Sequence, residues 1–225
     1  MNYLYLLLNL GSLSIPFIFS FHPKLQFHKY WKSLFIANIL TMCIFIPWDV
    51  TFTNNSFWGF NSTYFLGFEL FGLPIEEWLF FICIPYACIF THYALIHYFP
   101  NAKVKVKTVK IISYLLIVTL ILVAFLNYDK WYTLINFLYA IIVLVVVLKT
   151  KTELLQFFFL TFLVMLIPFF IVNGILTGSL IENEVVWYDN HENLGIRLFT
   201  IPIEDTVYAF SLILTNLYII TFFKK

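Results

Sequence analysis

Charge is what this sequence lacks most. Only 11% of its 225 residues are charged while 62% are hydrophobic, and the mean hydropathy is +0.90. A soluble domain of this length buries a core with far less apolar content. Apolar side chains must therefore cover the outside as well, which suits lipid as the solvent. A net charge of +1 offers no attraction for an acidic partner, so no nucleic acid is expected. Cysteine is equally sparse: Cys43, Cys83 and Cys88 all lie in apolar stretches, with neither a Cys-x-x-Cys pair nor a zinc-type spacing. No Gly-x-Gly-x-x-Gly occurs among the seven glycines, which removes the dinucleotide fingerprint and leaves no organic cofactor to expect. His92, His97 and His191 show no metal-ligand spacing, so no metal is expected either. Residues 206–223 hold no lysine, which excludes a retinal-binding seven-helix protein, and no aspartate-rich diphosphate motif points to a prenyltransferase.

What is present is a series of apolar runs. Seven are long enough, or nearly so, to cross a hydrocarbon core that needs roughly 20 helical residues. They predict an all-α, polytopic membrane bundle with spans at 3–20, 31–48, 75–98, 109–127, 131–148, 154–175 and 203–223. The first lacks the basic start and small-residue cleavage site of a signal peptide and reads as a helix. Pro85 and Pro168 fall inside spans, where membrane helices tolerate them. The basic residues test the count. Eleven lysines (24, 29, 32, 103, 105, 107, 110, 149, 151, 224 and 225) fall on one side, with only Lys130 and Arg197 on the other. By the positive-inside rule the C-terminus is cytoplasmic and the N-terminus outside, as in a bacterial cytoplasmic membrane. Two long aromatic loops, roughly 49–74 and 177–201, then share the outer side.

Residues 65–77 (FLGFELFGLPIEE) and 193–205 (NLGIRLFTIPIED) align without a gap, seven of the thirteen positions being identical. Composition accounts for matching Leu, Ile and Phe, but not for Gly, Pro and Glu recurring in register. Each copy precedes a span running in the same direction, which predicts a parallel internal repeat about an axis along the membrane normal. The expected division is residues 1–100 with helices one to three, and 101–225 with helices four to seven.

Pro74-Ile75-Glu76-Glu77 and Pro202-Ile203-Glu204-Asp205 have a plain reading as good helix starts, with proline in the first turn and carboxylates at the positive end of the dipole. Yet four of only twelve acidic residues fall there, in duplicate, at the entry to an apolar bundle, where carboxyls point to function. Adjacent residues diverge by about 100° on a helix, so one of each pair can face the bundle. Trp48-Asp49, at the predicted end of helix two, and Asn173, near the end of helix six, lie at the same level. Asp49 also reads as an interfacial cap and Asn173 as an interhelical hydrogen-bond partner. Glu69 and Arg197 occupy matching repeat positions with opposite sign and could pair across the axis.

Trp48-Asp49, the loop Phe57-Trp58-Gly59-Phe60 and Gly72-Leu73-Pro74-Ile75-Glu76-Glu77 together resemble the first half of the small integral-membrane lycopene cyclases. The second half, with Asn173-Gly174-Ile175-Leu176-Thr177 and Ile201-Pro202-Ile203-Glu204-Asp205, is similar to their second subunit, so the chain looks like both halves fused. The resemblance implies a redox-neutral isomerisation that makes β-ionone rings at the ends of lycopene in carotenoid biosynthesis. An acid protonates a terminal alkene, the neighbouring double bond attacks the carbocation, and a base removes a ring proton. Glu76, Glu77, Glu204 and Asp205 would supply acid and base. Trp48, Asp49, Trp78, Phe81, Asn173 and Tyr208 would hold the substrate, with aromatic rings (Phe80 among the candidates) steadying the cation; each alone reads equally as packing. Lycopene or a similar polyene and membrane lipid are the expected partners, with a homo-oligomer or association with other carotenoid enzymes as further possibilities. Two alternatives stay open: a transporter using paired carboxylates, and a related cyclase or hydratase acting on another polyene end.

Overall fold

In the computed structural model, which describes residues 3–223, seven helices carry most of the chain. They are α1 (Leu4–Phe19), α2 (Trp31–Asn54, entered through a 3-10 turn at Phe27–Tyr30), α3 (Ile75–Tyr98), α4 (Val106–Leu126), α5 (Trp131–Thr150), α6 (Thr152–Leu176) and α7 (Ile203–Phe223). Six are long and apolar enough to cross a membrane. At 16 residues α1 is shorter, roughly 24 Å against a core of about 30 Å. Large apolar side chains such as Leu115, Val118, Leu122 and Phe125 cover the outside of α4. No water-soluble fold leaves such a face open; in lipid it is the expected one. The protein is an integral membrane helical bundle with an internal repeat.

The helix boundaries follow the predicted ones closely except at α2, which continues six residues beyond Trp48. Asp49 therefore does not end the helix at the interface. It sits more than a turn inside, and is buried. Pro47 does not stop α2, as proline need not when neighbouring helices support the chain. Lys224 and Lys225, counted above among the lysines of one side, lie outside the described residues.

Loop contacts show that the helices alternate between two ends. At the end carrying the acidic motifs, Lys130 Nζ donates to the Asn193 carbonyl (2.6 Å) and Tyr132 N to that of Glu192 (2.9 Å). At the opposite, lysine-rich end, Val104 N donates to the Gln156 carbonyl (2.9 Å) and Gln156 Nε2 returns a bond to Val104 (2.8 Å).

Three two-stranded ribbons decorate the acidic end. Strands β2 (Glu69–Leu70) and β3 (Leu73–Pro74) form a hairpin leading into α3, and β5 (Arg197–Leu198) and β6 (Ile201–Pro202) form its counterpart before α7. Phe71 and Gly72 both adopt left-handed φ (56° and 77°), the requirement of the tightest hairpin turn, which glycine meets without strain. Between the halves, β1 (Trp58–Phe60) pairs antiparallel with β4 (Val186–Tyr188). Gly59 allows this, because a Cβ there would collide with the Trp187 indole.

Helix packing repeats as the loops do. α1 lies on α3 as α5 lies on α7, and α2 lies on α7 as α6 lies on α3. α4 has no counterpart and packs outside, against α5 and α6.

Candidate active site

Each acidic motif opens its helix after an extended proline; Pro74, at φ −54° and ψ 144°, caps α3. The first carboxyl then turns back to its own loop. Glu76 Oε1 accepts from Leu66 N (2.8 Å), and Glu204 Oε1 accepts from Leu194 N (2.7 Å). The main chain is fixed from the other side as well. Asn9 of α1 donates to the Glu76 carbonyl and Asn136 of α5 to that of Glu204, each at 2.8 Å. Thr133 Oγ1 adds a bond to Glu204 Oε1 (2.7 Å). These clamps make both helix starts rigid.

The second carboxyl of each motif, about 100° further round, faces a cavity of about 650 Å³. Glu77 and Asp205 line it, and so does Asp49 from α2. Tyrosine hydroxyls hold all three. Tyr5 donates to Glu77 Oε2; Tyr132 donates to Asp205 Oδ1 (2.6 Å) and Tyr188 to Asp205 Oδ2 (3.0 Å); Tyr208 donates to Asp49 Oδ1 (3.1 Å). Asp49 and Glu77 also come within hydrogen-bonding reach of each other. Burial and the neighbouring Asp205 hold the Tyr188 hydroxyl well above its usual range, so it remains a donor.

From the carboxyls the cavity runs as an apolar slot towards the lysine-rich end. On α3 its lining descends through Phe80, Ile84, Ala87 and Cys88 to Thr91, about 21 Å below Glu77 at 1.5 Å per residue. Leu7 and Ile15 of α1 and Ile171 of α6 line the slot and are also exposed on the outer surface. The slot therefore opens sideways, between α1 and α6, where lipid would be. One wall of the acidic end is aromatic, with Trp58, Phe60, Phe80, Tyr188 and Tyr208.

The structure thus separates residues that the sequence groups together. Of the four motif carboxyls, Glu77 and Asp205 reach the cavity, while Glu76 and Glu204 face the loops. Of the expected substrate contacts, Asp49, Asn173 and Tyr208 line it; Trp48, Trp78 and Phe81 do not. The reason is helical phase. Glu77, Phe80, Ile84, Ala87, Cys88 and Thr91 form one face of α3. Trp78 and Phe81, one residue on from Glu77 and Phe80, turn away, Phe81 into the core beside Phe45 and Trp78 towards Phe71. Trp48 packs between Phe45, Tyr139 and Tyr208. Glu69 and Arg197 do not pair: Arg197 bonds to the Thr200 carbonyl and Asn190 and lies over the Tyr188 ring. His92 bonds to Thr161 of α6 (2.8 Å), a helix-to-helix contact.

Tyr5, Tyr132 and Tyr188 belong to the site but carry no mark in the acidic motifs. A signal existed elsewhere: Tyr5-Leu6-Leu7-Leu8-Asn9 and Tyr132-Thr133-Leu134-Ile135-Asn136 share a Tyr-x-Leu-x-Asn pattern. It extends the repeat into α1 and α5.

A protein-family model described as lycopene cyclase matches the chain twice, over residues 2–96 and 129–223. Neither a curated protein nor a solved structure matches it. The two matched segments cover α1, α2 and all but the last two residues of α3, then α5 to α7, the same groups that the packing relates.

Proposed function

The chain belongs to the lycopene cyclase family, and we propose that it forms β-ionone rings at the ends of lycopene by acid-initiated cyclisation. Membership makes it a carotenoid cyclase of the membrane, with a polyene as substrate. The observation that carries the finer reading is the cavity, an apolar slot open to lipid that ends in three carboxyls and a wall of aromatic rings.

Each part answers a need of the reaction. A linear hydrocarbon is dissolved in the bilayer and enters sideways between α1 and α6, without crossing water. Its end reaches the level of Glu77 and Asp205, where one carboxyl group protonates the terminal alkene and another takes the ring proton. Glu76 and Glu204 contribute by fixing the helix starts on which those carboxyls stand. Phe80, Trp58 and the ring of Tyr208 present π-faces to the carbocation, at about 0.5–2 kcal/mol each. Exclusion of water protects the cation from capture, the step that would make a hydratase of the same site. A transporter would need the carboxyls on a path through the bundle. Here they close one end of a slot that opens to lipid.

The lysine distribution supports a cytoplasmic C-terminus, an outside N-terminus and carboxyls near the outer face of a bacterial cytoplasmic membrane. Labelling a cysteine introduced at Ser62 only from the cytoplasmic side would reverse that orientation. The exposed α4 face offers one surface for a second copy or another carotenoid enzyme. The function is tested by chromatography of pigments from lycopene-accumulating cells expressing this chain alone. β-Ring carotenes are the expected products; unchanged lycopene, with the protein confirmed in the membrane, would refute the reading.

A further inference from the structure

The carboxyls around the cavity are not equivalent, and their hydrogen bonds assign them different protons. Asp49 and Glu77 lie within hydrogen-bonding reach of each other, and each already accepts one tyrosine hydroxyl, from Tyr208 and Tyr5 respectively. An ionised carboxylate is an acceptor only, so two of them in contact have nothing to share. Contact requires one proton on the pair. Asp205 differs. It accepts Tyr132 on one oxygen and Tyr188 on the other, and neither hydroxyl has another proton to give. A carboxylate with a donor on each oxygen is satisfied as an anion. Arg197, 5.6 Å from the centroid of the Tyr188 ring, brings a cationic side chain behind that tyrosine.

We infer that Asp49 and Glu77 together hold the proton that starts cyclisation, and that Asp205 is the base that ends it. This rests on the cyclase reading and adds Asp49 to the reacting groups. The balance is simple. The pair gives one proton to the terminal alkene; the neighbouring double bond closes the ring; the ring loses one proton to Asp205. No electrons are gained or lost. The resting state returns when Asp205 releases its proton and the pair takes one up. Sharing a proton across two carboxyls has a further use: after donation, the hydroxyls of Tyr5 and Tyr208 still face the two anions. The division also explains why the second half carries an amide where the first carries an acid. Asp49 on α2 and Asn173 on its packing counterpart α6 both line the cavity. Only one half needs a second acid.

The experiment is infrared difference spectroscopy of the purified, lipid-reconstituted protein at neutral pH, in H2O and D2O, with the Asp49→Asn, Glu77→Gln and Asp205→Asn variants. Wild-type protein is expected to show the carbonyl band of a protonated carboxyl, shifted by deuterium. Asp49→Asn and Glu77→Gln should each lose or displace it, and Asp205→Asn should keep it while losing a carboxylate band. Loss of the protonated band in Asp205→Asn alone, or no change in either pair variant, overturns the assignment. Glu77→Asp, which retains a carboxyl, guards against misfolding: it should restore a protonated band. In lycopene-containing membranes Asp49→Asn should lower turnover at least about a hundredfold, as loss of a general acid does; wild-type turnover in that variant also overturns the assignment. If the bands behave as stated but wild-type protein leaves lycopene unchanged, the proton assignment stands and the cyclase reading falls.

Discussion

The two halves of this protein are built alike and finished differently. Both set a Pro-Ile-Glu motif after a two-residue hairpin turn, tie the glutamate to a loop N–H and anchor its carbonyl with an asparagine from the neighbouring helix. Beyond that scaffold they diverge. The gap between α1 and α6 is an open slot, whereas the corresponding gap between α5 and α2 is filled by rings. Phe45 and Trp48 of α2 meet Tyr139 of α5, at 5.2 and 6.1 Å between centroids, and Phe52 meets Tyr132. Where α3 has Phe80, α7 has Tyr208, whose hydroxyl reaches back to Asp49. Duplication supplies two matching clamps. Divergence turns them into one site with unlike sides, as the proposed cyclisation, which needs both an acid and a base, requires.

The strongest way to break this comparison is to neutralise one side at a time. Glu77→Gln and Asp205→Asn, singly, should each abolish ring formation in lycopene-accumulating cells, a loss of about 10²–10⁴-fold in turnover. Two independent sites would instead leave roughly half the activity in each variant. A smaller effect tests the open slot. Gly11 lines it on α1, and a Cβ added there meets nothing within 4 Å. Gly11→Leu should narrow the entrance and lower turnover about tenfold, equivalent to ~1.4 kcal/mol in the barrier, with thermal stability in detergent unchanged. A fall in stability as large as the fall in rate would deny the slot its role.

The clamps themselves can be compared through stability. Glu204 accepts two donors on Oε1 where Glu76 accepts one. Glu204→Gln should therefore lower the melting temperature more than Glu76→Gln, because the amide it leaves weakens two bonds instead of one, a difference of about 1–1.5 kcal/mol. The smallest change isolates that bond. Thr133→Val removes the extra hydroxyl, which α1 lacks because Leu6 stands there, and should cost about 1 kcal/mol with turnover preserved.

Much of this was legible in the sequence. Apolar runs located every helix, because a span must satisfy its backbone within itself and is read by length alone. The aligned Gly, Pro and Glu residues gave the repeat and the level of the carboxyls. Other features were not legible. α2 runs past Trp48 to Asn54, since Pro47 interrupts a sequence pattern but not a helix held by its neighbours. Trp48, Trp78 and Phe81 looked like substrate contacts because aromatic residues are everywhere in this chain. Their adjacent positions, Asp49, Glu77 and Phe80, point the other way, and a step of one residue decides which face is lined.

By itself, then, the sequence determined the solvent, the number and approximate positions of the helices, the duplication and the acidic pairs, all properties of composition and local spacing. Only the tertiary structure decided which carboxyl of each pair meets the cavity, which gap between helices stays open, and which tyrosines, three of them from helices over 70 residues away in the chain, hold the cavity carboxyls. Those depend on helix rotation and on partners far apart in sequence, and a pattern read along one chain carries no record of either.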